Sequence, residues 1–89
     1  MRTDHFKIIL EILEIAERLL NEDGTTSWNP FSGEYKTALK YTEQLGISYY
    51  YLQRIGEIML DAGLLVRNKY LDEIQISLKG LQYLRDEKH

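Results

Sequence analysis

Apolar positions recur along this chain in four stretches of helical spacing and one alternating stretch. From Asp4 to about Leu20, the residues Phe6, Ile9, Leu13, Ala16 and Leu20 form one stripe, and Ile8, Ile12, Ile15 and Leu19 form the next. At about 100° per residue the two stripes sweep roughly 220° of a helical wheel, leaving a narrow polar strip of Lys7, Glu11, Glu14 and Arg18. A second helix is predicted over 34–44, with Tyr35, Ala38, Leu39 and Thr42 inward and Lys36, Lys40 and Glu43 outward. A third, over 48–62, sets Tyr51, Leu52, Ile55, Ile58, Met59 and Ala62 on one side and Tyr50, Gln53, Arg54, Glu57 and Asp61 on the other. Residues 64–77 alternate as a hairpin, in which Arg67 and Lys69 share a face and Asp72 and Glu73 occupy the turn. A last helix, over 78–88, points Leu78, Leu81 and Leu84 inward, with Ser77 as its cap.

The breaks between these stretches carry their own information. Residues 21–33 are dense in turn formers, and Thr25 to Trp28 can supply a short strand there. Trp28 and Phe31, flanking Asn29-Pro30, read as an aromatic plug over core, or as the wall of a ligand pocket behind Trp28. Gly56, inside the third helix, costs about 1 kcal/mol relative to Ala and therefore predicts the close approach of a neighbour. Residues 42–55 have helix-turn-helix spacing. Thr42 is small where two helices cross, Gly46 can end the first helix in a left-handed conformation, Ser48 can cap the second, and Leu52 and Ile55 face the core.

Three segments, Glu43-Gln44-Leu45-Gly46-Ile47-Ser48, Ala62-Gly63-Leu64-Leu65 and Ile76-Ser77-Leu78-Lys79-Gly80-Leu81, occur in an order and at distances that resemble the winged-helix family of small archaeal and bacterial transcription regulators. The likeness covers roughly the last two thirds of the chain. It implies a mainly α fold with a small β-hairpin: a three-helix helix-turn-helix core, a wing of two or three strands and a C-terminal helix, all in one domain spanning 1–89. It also implies that the helix over 48–62 enters the major groove and that basic residues of the wing lie along the DNA backbone.

Charge complicates that picture without overturning it. The net charge is −3, unfavourable for a partner whose binding energy comes largely from phosphate neutralisation. The excess lies in residues 1–32, which hold three bases and six acids; the rest of the chain holds eight of each. The DNA-reading part is thus neutral. The 89 residues are 44% hydrophobic with no Cys, which suits a small core of thin stability and excludes disulfides and thiolate metal sites. No apolar run approaches a membrane span, and a cytoplasmic location is expected. No nucleophile, His/acid cluster or Gly-rich phosphate loop appears at motif spacing, and His5 and His89 fall near the ends, so neither an enzyme nor a cofactor is expected.

The candidate DNA contacts are Lys36 and Thr37 at the amino end of the second helix, Ser48, Tyr49, Tyr50, Gln53 and Arg54 at the start of the third, and Arg67 and Lys69 on the wing. Arg suits a guanine edge, Gln an adenine edge, and a Tyr hydroxyl reaches phosphate. Glu57 and Asp61 oppose DNA unless they point away or Glu57 accepts from cytosine. The wide first helix suggests a homodimer through Ile8, Ile12, Ile15, Leu19 and Tyr83, or else cover by the following loop. Duplex DNA is the expected partner. The alternative is a winged-helix protein-interaction module that uses the aromatic surface of the third helix.

Overall fold

The apolar stretch at the amino terminus folds as α1 (His5–Asp23), one turn longer than its pattern. It is followed by α2 (Tyr35–Leu45), α3 (Tyr49–Asp61), β1 (Leu65–Asn68), β2 (Glu73–Ile76) and α4 (Leu78–Glu87). The structure is a computed structural model that describes residues 5–23, 31, 35–68 and 73–87, with the side chains of 22, 23, 35–39, 68 and 73 outside that description. The expected strand at Thr25 to Trp28, and any pocket behind Trp28, lie outside the described residues. Among those residues the architecture is mainly helical with one two-stranded antiparallel hairpin.

The breadth of apolar surface on α1 is explained within the chain. The helix packs against α4, β2 and α3, so both of its stripes meet neighbours. Ile8, Ile12, Leu13, Ile15 and Ala16 are buried, and Leu19 and Tyr83 pack half-buried on the same core. This corrects the expected dimer interface: Ile8, Ile12 and Ile15 are core residues that a second copy cannot reach. A helix with packed elements on three sides needs more than one apolar stripe. Other inward assignments also change, among them Ile58 and Ala62 of α3, both exposed. Phe6 is 68% exposed and Leu78 is 86% exposed, each in the first turn of its helix, where the core no longer reaches.

The turn between α2 and α3 forms as its residues suggest. Gly46 has φ +68°, the left-handed region that a side chain disfavours. The Gly46 N–H donates to the Glu43 carbonyl at 3.3 Å, and the Ile47 N–H to that of Thr42 at 3.1 Å. Thr42 is buried. Ser48 then caps α3, its hydroxyl accepting the Tyr51 N–H at 3.1 Å.

A second junction explains the Ser77-Leu78-Lys79-Gly80 stretch. The Ser77 hydroxyl accepts the Gly80 N–H at 2.9 Å and donates to the Gly63 carbonyl, while the Ser77 N–H donates to the Leu64 carbonyl at 3.1 Å. A Cβ on Gly80 would lie 2.2 Å from the Leu64 carbonyl oxygen. Only glycine allows α4 to sit this close to the chain leaving α3. The hairpin register pairs Leu65 with Ile76, Val66 with Gln75 and Arg67 with Ile74, so the buried Leu65, Ile74 and Ile76 turn one face of the sheet to the core.

Candidate nucleic-acid interface

The buried side of α3 consists of Leu52, Ile55, Gly56 and Met59, the i, i+3, i+4, i+7 pattern of a helix seated on a core. The opposite side is open. Tyr50 is 80% exposed and Tyr49 37%, and Arg54, Glu57 and Asp61 are exposed. Tyr49, Tyr50, Gln53, Arg54 and Glu57 line one open cleft of about 270 Å³. The structure therefore brings four of the expected contact residues together and adds Glu57 to them. Ser48 serves as the cap of the helix. No acid occupies the first turn of α3, and the positive end of the helix dipole favours an anion there.

Gln53 has a different task from the one its residue type suggested. Its side-chain amide donates to the Phe31 carbonyl at 2.6 Å. The Phe31 ring lies against Gly56, where a Cβ would come within 2.6 Å of it. Gln53 and Gly56 thus form a seat for Phe31, which is buried. Gly56 was the sequence signal for this contact; nothing in the pattern named the partner.

His5 also departs from expectation. Its ring stacks on that of Tyr51 with centroids 5.3 Å apart and planes 21° from parallel, and the Tyr51 hydroxyl and His5 Nδ1 are hydrogen-bonded to each other. The start of α1 is thereby tied to the start of α3. Tyr51 is also packed, half-buried, against the core.

The hairpin residue Arg67 is exposed but belongs, by register, to the face that carries Leu65 and Ile74. It lines an open cavity of about 510 Å³ with Glu57, Leu60 and Asp61. Arg67 therefore shares an open cavity with the carboxyl half of α3 and its acids, while Val66, 48% exposed, takes the outer face. Ile58, expected inward, is 52% exposed on the stripe of Arg54 and Asp61. The side chains of Lys36 and Thr37, and all of Lys69, lie outside the described residues. Lys79 is exposed in the first turn of α4.

Along α3, charge runs from Arg54 through Glu57 to Asp61, with Arg67 opposite the last two. The amino half is aromatic and cationic; the carboxyl half holds two acids and one facing base. Among the described helices none is long and apolar enough to cross a membrane. In comparisons with known proteins, no family model, no curated protein and no solved structure matches this chain.

Proposed function

We propose that this chain is a winged-helix protein that binds duplex DNA through the amino half of α3 and acts as a transcription regulator. The observation that carries the reading is the solvent-exposed Tyr50 and Arg54 on the outer side of α3, beside Tyr49 and backed by the fully buried Leu52 and Met59. A helix that presents its first outward residues, with no acid in its own first turn, has the shape and chemistry a major groove accepts. Arg54 supplies a fork for guanine and the phenols supply hydrogen bonds to phosphate. Arg67 adds a weaker backbone contact, because Glu57 and Asp61 share its cavity. Any homodimer would use a surface other than Ile8, Ile12 and Ile15.

The test is fluorescence anisotropy of labelled duplex over a range of salt, with Arg54→Ala and Arg67→Ala alongside. Affinity is expected to fall steeply with salt, Arg54→Ala to cost about 1–3 kcal/mol, and Arg67→Ala to cost less. One observation favours a second reading, a protein partner: Ile58, half exposed between Arg54 and Asp61, is apolar surface that DNA would leave uncovered. Binding indifferent to salt and to both arginine substitutions would support that reading instead.

A further inference from the structure

We infer that the α3 cleft reads a G·C-containing step, with Arg54 on guanine and Glu57 on the amino group of cytosine; this deepens the duplex-DNA reading and rests on it. Five side chains line the cleft. Gln53 is committed elsewhere, since its amide already donates to the Phe31 carbonyl at 2.6 Å and the ring of Phe31 is fixed over Gly56. The adenine-reading residue suggested by the sequence is thereby a positioning residue. The charged groups left to face an occupant are the Arg54 guanidinium and the Glu57 carboxylate, both exposed.

Their chemistry restricts what they accept. A guanidinium fork needs two acceptors side by side, which the major-groove edge of guanine presents as O6 and N7. A carboxylate needs a donor, and only the amino groups of cytosine and adenine point into that groove. Adenine sets its N7 lone pair beside its amino group and so repels the second carboxylate oxygen; cytosine sets only a C–H there. Cytosine is the better match. Residues three apart on a helix are separated by about 4.5 Å along its axis, close to the roughly 3.4 Å between stacked bases, so the two side chains address adjacent or nearly adjacent pairs. Arg54 beside Glu57 also makes the cleft neutral, which reduces the repulsion between the carboxylate and flanking phosphates.

The inference is tested by selection from a library of duplexes randomised at the centre, using wild type, Glu57→Gln, Glu57→Ala, Gln53→Ala and Arg54→Ala. Circular dichroism would establish that each variant is folded. Wild type should enrich a guanine next to or near a cytosine. Glu57→Gln should shift the cytosine position toward adenine, which a Gln amide reads bidentately, with the guanine retained and a preference change of about tenfold or more. Gln53→Ala should leave the base preference unchanged, and Arg54→Ala should erase the guanine. If Glu57→Gln and Glu57→Ala tighten binding to every sequence alike and leave the preference intact, Glu57 merely repels and the inference is overturned while the DNA reading stands. A wild-type chain that retains no duplex at low salt overturns both.

Discussion

α1 and α3 are both rich in apolar residues and each packs against three other elements, yet α1 buries Ile8, Ile9, Ile12, Leu13, Ile15 and Ala16 while α3 buries only Leu52, Ile55, Gly56 and Met59 and leaves Tyr50 and Ile58 exposed. The difference shows that the width of an apolar stripe reports how much of a helix its own fold covers. The outer side of α3 carries the exposed Tyr49, Tyr50 and Arg54, and the proposed DNA contacts lie there.

Substitutions in the two helices sharpen this contrast. Leu13, wholly buried in α1, should lose about 2–5 kcal/mol of unfolding free energy when replaced by Ala. Ile58→Ala on the outer stripe of α3 should change stability by no more than about 0.5 kcal/mol. Urea denaturation measures both; equal losses would mean that Ile58 is covered in solution and would break the comparison.

Gly56→Ala tests the seat under Phe31. The new methyl collides with the ring, and a cost of about 1–3 kcal/mol is expected. Adding Phe31→Ala to Gly56→Ala should cost less than the two single changes summed, because the collision no longer exists in the double variant. Strict additivity would place Phe31 elsewhere.

Smaller effects are expected where the helix ends. Ser48→Ala removes the acceptor for the Tyr51 N–H and should lower stability by about 1 kcal/mol, with Ser48→Asp restoring most of it. The smallest effect concerns Tyr83 on α4, whose phenol is held above the usual 10.0 by burial first and by the nearby Glu87 carboxylate second. A raised folded-state value means that its contribution is fully present below pH 10 and is lost as pH rises through the folded-state value. Tyr83→Phe should therefore flatten the fall in melting temperature on the alkaline side while leaving it unchanged near neutral pH.

Much of the site was legible from residue type and spacing. Gly46, Ser48, Leu52 and Ile55 have local jobs, and a turn, a cap and a helical face depend on neighbours only a few residues away. Gly56 announced a close approach for the same reason. The identity of the approaching residue was not legible, since Phe31 comes from 25 positions earlier in the chain. The surroundings of Gln53 and Arg67 were not legible either, because each has distant neighbours: the Phe31 carbonyl for one, Glu57, Leu60 and Asp61 of α3 for the other.

Sequence alone determined the order of helices and hairpin, the capped turn into α3 and the side of that helix turned to the core, because hydrophobic periodicity and hydrogen-bonding caps act over one or two turns of chain. Tertiary packing decided that the isoleucines at 8, 12 and 15 of α1 are interior and that the Gln53 amide bonds the Phe31 carbonyl. Those outcomes depend on which distant surfaces meet, and burial is a property of the assembled fold, not of any segment within it.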